Sequence, residues 1–341
     1  MSSADPSYLP RPDSSNWRHA STIITAPSKH IDVPNSQPYS FRLHYVDVPA
    51  YNRKAGTADA AVRGTVLLIH GFPQTWYQWR HVINPIANAG YRVVVPDYRG
   101  AGNSQAPPSN AGHAGGMGGG YTKLVMADDL RTLLRDHLGI KEMVHVIGHD
   151  IGAMVGHAYA SFFADDTKSF VWVDCPLPGT KNYDDCKAAS TDTWHFIFHN
   201  VQDDLPERLV SGHERTYMRH FFDRLCVNPY AIVPGGEDED VYVTAYTRPG
   251  AMRAAFDTYR TFDEDSRQNR ELVKKIGKGK VPVLSLPGGG SFNYARSEEQ
   301  LNELYENVEA SFVPNAGHYI PDEQPEGFVE KVVPFILKHS K

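Results

Sequence analysis

The sequence predicts an α/β protein built on an open, doubly wound, mostly parallel sheet that carries a helical insertion. Short apolar strand patterns alternate with helical patterns along most of the 341 residues, and this alternation stops between about residues 176 and 277. Most of the strand patterns are β-branched and apolar on both faces, which is typical of strands covered by helices on both sides. The length fits one large domain with an insertion or two modest domains, and we interpret it as the first.

The elements follow from the spacing of apolar residues. The first strand pattern, at residues 39–48, alternates apolar and polar side chains and therefore predicts a half-buried strand. Further strands are predicted at residues 64–69, 91–95, 143–147, 169–173, 281–286 and 308–313. Helices are predicted at residues 79–88, 121–138, 151–163, 297–305 and 324–338.

The remaining segments define the predicted domain organisation. Residues 1–36 are polar and proline-rich, and we expect an arm that lies over the domain or is partly disordered, with one β-like patch at residues 21–25. The core is predicted to comprise residues 37–176 and 278–341, and the aromatic, helical segment 177–277 is predicted to form a cap over the sheet. The glycine-rich residues 111–120 follow no strand, so we expect a flexible surface loop rather than a phosphate-binding loop.

Composition excludes several function classes. With 34 Lys and Arg against 40 Asp and Glu, and no basic block, an electrostatic nucleic-acid binder is not expected. The three cysteines are scattered without a C-x-x-C pair, which argues against a disulfide framework and a zinc site. The chain has no apolar signal-peptide core at its start and no long apolar run. We therefore expect a soluble cytoplasmic protein.

The sharpest motif is Gly148-His149-Asp150-Ile151-Gly152, which ends one predicted strand and opens the next helix. This is the strand–turn–helix context of the nucleophile elbow of α/β-hydrolases, with Asp in place of Ser. Glycines on both sides suit a strained turn with close backbone packing, and the helix N-terminus favours an ionised carboxylate. An aspartate here can also be a simple helix N-cap, so the motif alone leaves both interpretations open.

Two further segments favour the catalytic interpretation. His70-Gly71-Phe72-Pro73 follows an earlier core strand, where α/β-hydrolases place the loop whose backbone N–H groups form an oxyanion hole. Phe72 and Ile151 are the residues whose N–H groups are expected to donate there. His318 follows the last predicted strand, which is the chain order expected for the catalytic histidine of this fold.

The acid that orients His318 is less clear from the sequence. The loop after the predicted strand at residues 281–286 contains no acidic residue, although it is the usual place for one. Asp174 ends the strand at residues 169–173 and is the favoured candidate. Glu298 and Glu299 are alternatives, although they lie in a helical pattern that is expected to face solvent.

These motifs resemble those of the α/β-hydrolase-fold epoxide hydrolases and their dehalogenase relatives, from about residue 39 to the C-terminus. The resemblance implies an aspartate nucleophile, a His–acid pair and two hydrogen-bond donors in the cap. Most epoxide hydrolases use two tyrosines as these donors. A secreted bacterial type has a histidine first, which matches His195, and a tyrosine second, which matches Tyr259. In that type the acid follows the sixth strand, as Asp174 does here, but it is Glu.

The expected reaction follows from the nucleophile. An epoxide carbon is sp³, so a carboxylate can displace the ring oxygen and form an ester with Asp150. His195 and Tyr259 would donate to the epoxide oxygen, and His318 would activate water that hydrolyses the ester to release a vicinal diol. Small hydrophobic epoxides and water are the expected partners, with no cofactor, metal, nucleic acid or membrane, and a homodimer stays open. The predicted walls of the substrate pocket are Trp194, Phe198, Phe256 and Tyr217.

Two rival functions share this fold. A dehalogenase would use the same aspartate, but haloalkane dehalogenases generally have Trp directly after it, where Ile151 stands, and often Asn at the position of Phe72. Haloacid-type relatives carry Arg near the elbow, where Ile151 and Met154 lie. A non-catalytic binding protein would have a defective triad, and here all its pieces are expected to be present. The sequence does not identify the physiological substrate or the regio- and enantiopreference.

Overall fold

The computed structural model describes residues 11–26, 31, 39–51, 62–107, 120–188, 191 and 193–340. Within them, helices cover both faces of a single sheet, which confirms the predicted fold class. The predicted glycine-rich loop lies outside the described residues except for Gly120. None of the helices in the described ranges combines the length and the apolar character that a bilayer span requires.

The sheet has eight strands in the described part of the chain. They are β1 (Arg18–Ala26), β2 (Tyr39–Val48), β3 (Gly64–Ile69), β4 (Tyr91–Pro96), β5 (Val144–His149), β6 (Thr167–Val173), β7 (Val283–Ser285) and β8 (Val308–Ala310). Their spatial order is β1-β2-β4-β3-β5-β6-β7-β8. The first two pairings in this order, β1 with β2 and β2 with β4, are antiparallel, and all others are parallel. The parallel part therefore places the ends of β3, β5 and β6 at one edge.

The helices divide into a core set and a cap set. Those of the core are α1 (Arg80–Asn88), α2 (Lys123–Thr132), α3 (Ile151–Phe162), and, after the cap, α11 (Ser297–Leu304), α12 (Ile320–Glu323) and α13 (Pro325–Lys338). Those of the cap are α4 (Lys181–Ala188), α5 (Trp194–His199), α6 (Leu205–Val210), α7 (Glu214–Leu225), α8 (Glu237–Tyr246), α9 (Ala251–Arg260) and α10 (Phe262–Ile276).

The N-terminal segment departs from the prediction. Residues 18–26 are not part of an arm over the domain, because they form β1 and pair with β2 along its length. Alternation explains the difference: Ile24 and Ala26 are buried against the core, while Ile23 between them is exposed. The β-like patch at residues 21–25 is thus the centre of an edge strand.

One predicted helix is shorter than expected. The pattern at residues 121–138 predicts a single helix, but α2 begins at Lys123, after the capping side chain of Thr122, and ends at Thr132. A π-helical turn follows over Leu133–His137, and Gly139 then takes a left-handed conformation with φ of 67°. The other predicted elements are present with ends within three residues of the predicted positions.

Two apolar cores lie on opposite faces of the sheet. Along β3, Val66 and Leu68 pack in the core formed with α1 and α13, and Leu67 and Ile69 pack in the core formed with α2 and α3. Successive side chains of the strand point to opposite faces of the sheet, and a core covers each face. Every one of these positions is therefore apolar. The second core continues into the cap, so the cap and the sheet share one apolar interior.

A buried lysine ties the cap to the core. The ammonium of Lys123 donates to the Thr258 carbonyl at 2.7 Å, the Thr261 hydroxyl at 3.1 Å and the Asp265 carboxylate at 2.8 Å. Its backbone N–H reaches the other oxygen of Asp265 at 2.8 Å. The ammonium also lies 4.7 Å from the ring centre of Phe262. One core residue thus fixes the junction between α9 and α10.

Replacing this lysine tests the tether. Lys123→Met should lower the free energy of unfolding by about 3–5 kcal/mol, because it leaves the buried Asp265 carboxylate without its counter-ion. Lys187→Met is the matched control, since Lys187 pairs with Asp263 at the exposed surface of the cap and should cost at most about 1 kcal/mol. Urea unfolding measures the free energy of unfolding of both variants. Equal decreases would contradict the proposed role of Lys123 in joining the cap to the core.

Candidate active site

The site is built around the turn between β5 and α3. Asp150 occupies this turn with φ of 52° and ψ of −123°, a conformation that non-glycine residues rarely adopt. The turn is possible only without neighbouring side chains: a Cβ on Gly148 would lie 2.1 Å from the carbonyl oxygen of Gly152. A Cβ on Gly152 would lie 2.1 Å from the carbonyl oxygen of Ile69. The glycines are therefore required for the close approach of β3, β5 and α3.

The two oxygens of the Asp150 carboxylate have different surroundings. The backbone N–H of Phe72 donates to Oδ1 at 2.8 Å, and the backbone N–H of Ile151 also donates to this carboxylate. Oδ2 faces the imidazole of His318, with 3.7 Å between Oδ2 and Nε2. Burial raises the pKa of Asp150, and the charge of His318 and the two N–H donors oppose that rise.

His318 lies between β8 and α12, and its side chain joins two carboxylates. Nδ1 is 2.8 Å from Oδ2 of Asp174, and Nε2 points to Asp150 at a distance too long for a direct hydrogen bond. Although burial alone would lower the pKa of His318, the hydrogen bond and charge of Asp174, with the charge of Asp150, raise it above its ordinary value. The imidazole is therefore held as an efficient proton acceptor.

The structure thus brings Asp174, and not the two alternative glutamates, to the imidazole. Asp174 directly follows β6, has φ of 44° and is fully buried. Glu298 and Glu299 lie on α11 with exposed side chains. The Ser291 hydroxyl lies 2.8 Å from each oxygen of Asp174, a contact that the sequence gives no reason to expect.

A second carboxylate that sequence reasoning missed fixes the backbone around His318. Glu323, at the end of α12, accepts hydrogen bonds from the N–H groups of Gly317 and Tyr319 on either side of that histidine, all at 3.0 Å. It also accepts from Val227 at 2.7 Å and Asn228 at 3.1 Å, just after α7. One buried side chain therefore joins the histidine loop to the cap.

His149 supports the same loop from the elbow side. Its Nε2 lies 2.8 Å from the carbonyl oxygen of His318. Burial lowers the pKa of His149 well below its ordinary value, so the neutral ring donates its Nε2–H to that carbonyl. His149 stands in the elbow motif, directly before Asp150. Its hydrogen-bond partner, His318, is 169 residues away in the chain, so the motif alone could not identify this contact.

The cap supplies two polar side chains to the wall opposite Asp150. His195 on α5 and Tyr259 on α9 both line the cavity, with ring centres 5.9 Å apart. Burial, with the charge of Arg224, lowers the pKa of His195 to about 3. Burial and the Asp150 charge raise the pKa of the Tyr259 phenol well above its ordinary value. Both groups are therefore neutral near pH 7, and each can donate a hydrogen bond.

The cavity between cap and core is small and mostly apolar. Its volume is about 20 Å³, which holds about one water molecule. Phe292 lines it and is also 44% exposed, so this ring lies between the cavity and solvent. The wall is formed by Phe72, Asp150, Pro176, His195, Phe196, Phe221, Arg224, Leu225, Tyr259, Phe292, His318 and Tyr319.

The four aromatic residues predicted as substrate-pocket walls do not line this small cavity. Trp194, Phe198, Phe256 and Tyr217 are not among the described residues around it, and their role as pocket walls stays a prediction. They pack together in the layer behind it, where Phe256 stacks on His199 and the Tyr217 hydroxyl is 2.6 Å from Nε2 of the same histidine.

These positions define a chemical capability. The Asp150 carboxylate borders a small, mostly apolar cavity and accepts from two backbone N–H donors, that of Phe72 on Oδ1. An imidazole backed by a buried acid lies beside it, and two neutral donors line the facing wall. This arrangement can attack an electrophilic carbon, stabilise the leaving oxygen and then activate water against the resulting ester.

The chain is similar to several known proteins. A family model described as the α/β hydrolase fold matches residues 64–325. A soluble epoxide hydrolase from Corynebacterium sp. (strain C12) is 32% identical over 300 residues, which cover 86% of this chain and 93% of that protein. A fluoroacetate dehalogenase from Burkholderia sp. is 33% identical over 282 residues, with 79% and 87% covered. The crystal structure of wild-type Cfl2 from Burkholderia cenocepacia matches with a TM-score of 0.74 at 30% identity, covering 95% and 98%.

The titration of His318 tests the electrostatics of the site. Histidine side-chain NMR should show that His318 keeps its proton to higher pH than its ordinary value of 6.5 predicts. Asp150→Asn removes one negative charge beside the ring, so the midpoint should fall. His157 is an internal reference, because burial lowers its pKa to about 4 and it should stay neutral in both proteins. An unchanged His318 midpoint would contradict the coupling.

Proposed function

We propose that this chain, which belongs to the α/β-hydrolase fold family, is an epoxide hydrolase that forms vicinal diols. The observation that carries the proposal is the Asp150 carboxylate beside the small cavity, with Oδ1 held by the backbone N–H of Phe72 and Oδ2 directed toward His318. An sp³ epoxide carbon needs a nucleophile of this kind, because it offers no carbonyl to a serine.

The first step is ring opening. Oδ2 of Asp150 attacks an epoxide carbon, the carbon–oxygen bond of the ring breaks, and the electron pair goes to the ring oxygen. His195 and Tyr259, both neutral, donate hydrogen bonds to that oxygen as its negative charge develops. The ring oxygen takes the hydroxyl proton of Tyr259 and ends as a hydroxyl group, while the substrate carbon is esterified to Asp150.

The second step is hydrolysis of the ester. His318 takes a proton from water, and the water oxygen bonds to Cγ of Asp150. The resulting oxyanion is Oδ1, which already accepts from the N–H of Phe72, and we assign the N–H of Ile151, which also donates to this carboxylate, as the second donor. When the Cγ–Oδ2 bond breaks, the imidazolium of His318 protonates Oδ2 as the diol leaves, and Asp150 keeps the oxygen from water. The second proton of that water returns to Tyr259, so Asp150 is again a carboxylate. Asp174 stabilises the imidazolium of His318 during this step.

The walls support a small, mainly apolar epoxide. Phe72, Phe196, Phe221 and Leu225 surround the carboxylate, and such surfaces favour hydrocarbon substituents. The cavity of about 20 Å³ holds about one water molecule, so we expect an epoxide to enter by moving part of the wall. Phe292, which borders both cavity and solvent, is where we expect that displacement.

A dehalogenase is the second candidate, because the relative named fluoroacetate dehalogenase, from Burkholderia sp., is 33% identical to this chain, and the Corynebacterium epoxide hydrolase is 32% identical. The same carboxylate could displace a halide, and the later ester hydrolysis would be identical. The proposal nevertheless favours the epoxide, since Ile151 follows the nucleophile and the cavity presents the donors His195 and Tyr259 to a leaving oxygen. Fluoride release from fluoroacetate distinguishes the two reactions.

Isotope labelling tests the covalent route. One turnover of styrene oxide in ¹⁸O-labelled water should place the label in the peptide that contains Asp150, and mass spectrometry reads it out. Asp150→Asn should be inactive or recover only as the amide slowly deamidates. The peptide with Asp174 is the internal control and should stay unlabelled. Label found only in the diol would rule out an ester on Asp150.

Trapping tests the role assigned to His318. His318→Gln removes the base that activates water but leaves the Asp150 nucleophile in place, so the ester should accumulate. Intact-protein mass spectrometry should show the added mass of one epoxide. A variant that is folded, consumes no epoxide and carries no adduct would contradict the two-step scheme.

The donors are tested in the same trapping background. Tyr259→Phe and His195→Phe should each slow ester formation in His318→Gln by about tenfold to a hundredfold, and the pair by about 10²–10⁴-fold. The single losses are expected to be smaller because one donor remains. Tyr230→Phe, at an exposed tyrosine of the cap, is the control and should leave the rate within about twofold. Equal rates in all variants would remove both donors from the mechanism.

A further inference from the structure

The loop after β7 carries an unassigned contact to the candidate triad. This loop lacks the acidic residue that usually stands there, and the acid is instead Asp174 on the neighbouring strand. Ser291 in the loop lies against that acid, with its Oγ 2.8 Å from Oδ1 and 2.8 Å from Oδ2.

Asp174 needs this contact. It is fully buried and held at φ of 44°, and one of its oxygens accepts from Nδ1 of His318 at 2.8 Å. The imidazole and the Ser291 hydroxyl are the side-chain donors that the described residues offer this carboxylate. A buried carboxylate with fewer donors is poorly stabilised and free to rotate away from its partner.

The direction of the Ser291 proton is also determined. The backbone N–H of Asn293 donates to Oγ of Ser291 at 3.1 Å, so the oxygen acts as an acceptor on that side. Its own O–H is therefore directed toward the carboxylate, which can only accept when ionised. The Asn293 side chain in turn donates to the Cys175 carbonyl at 3.0 Å, directly after Asp174.

The loop is fastened to the histidine as well as to the acid. A Cβ on Gly288 would lie 1.9 Å from the carbonyl oxygen of Gly317, the residue before His318. The N–H of Gly289 donates to the Val313 carbonyl and that of Gly290 to the Ala316 carbonyl, both at 2.9 Å. The loop therefore spans the two segments that carry the acid and the histidine.

We propose that Ser291 is a positioning residue that holds the Asp174 carboxylate in line with Nδ1 of His318. The proposal rests on the two-step reaction proposed above. In ring opening His318 takes no proton, so the hydroxyl has little effect there. In ester hydrolysis His318 becomes an imidazolium, and Asp174 must stay aligned and ionised beside it. Ser291 therefore acts on the second step alone.

Separate measurement of the two steps tests this assignment. In Ser291→Ala the rate of ester formation should stay within about twofold of the wild type, and ester hydrolysis should slow by about tenfold or more, as for loss of a hydrogen bond to a charged group. Quenched-flow mass spectrometry follows both steps with styrene oxide. The proton NMR resonance of the Nδ1–H of His318 should also move, because its acceptor has lost a donor.

Ser297→Ala is the matched control. Ser297 is buried in the same region, and its hydroxyl donates to the Asn293 carbonyl at 2.7 Å without touching the acid or the histidine. It should leave both steps and the Nδ1–H resonance unchanged. Wild-type ester hydrolysis in Ser291→Ala, or equal slowing in both variants, would overturn the proposal.

The outcome is distinguishable from failure of the proposed function. If the wild type forms no ester on Asp150, the epoxide mechanism fails and this role of Ser291 fails with it. If the ester forms and Ser291→Ala hydrolyses it normally, only the positioning role is lost. A slowing of ester formation equal to that of hydrolysis would indicate a general effect on packing and would also overturn the assignment.

Discussion

The structure depends on keeping one carboxylate, that of Asp150, buried and reactive at a sharp turn between a strand and a helix. Burial alone would neutralise it, since removing a carboxylate from water favours its protonated form. Two backbone N–H groups and the imidazole of His318 oppose that tendency. The glycines around the turn, the crossing of β3, β5 and α3, and the closed cap all serve to hold those groups at the carboxylate.

The histidine side of the site shows the same principle. Asp150 and Asp174 both have positive φ angles, a backbone conformation that residues other than glycine adopt at an energetic cost. Buried hydrogen bonds hold the groups beside these turns: Glu323 accepts from the backbone on both sides of His318, and Ser291 donates to Asp174.

Burial also separates the histidines by protonation state. His318 lies between two carboxylates and has a raised pKa, while His149 and His195 face apolar or cationic surroundings and have lowered values. In the proposed reaction His318 is the base and His195 is a neutral donor to the cavity, while His149 donates to the carbonyl of His318. The three differ in their neighbours and not in their chemistry, so their roles depend on the packing of the cap on the core.

Local patterns were enough to predict the parallel sheet, the elbow at Asp150 and the positions of Phe72 and His318, because periodicity and strand–turn–helix order are local properties. They did not determine that residues 18–26 extend the sheet, or which aromatic residues of α5 face the cavity. The contacts of Asp174 with His318 and Ser291 join residues more than a hundred positions apart. Only tertiary packing brings such side chains together, since no local pattern encodes which distant segments will meet.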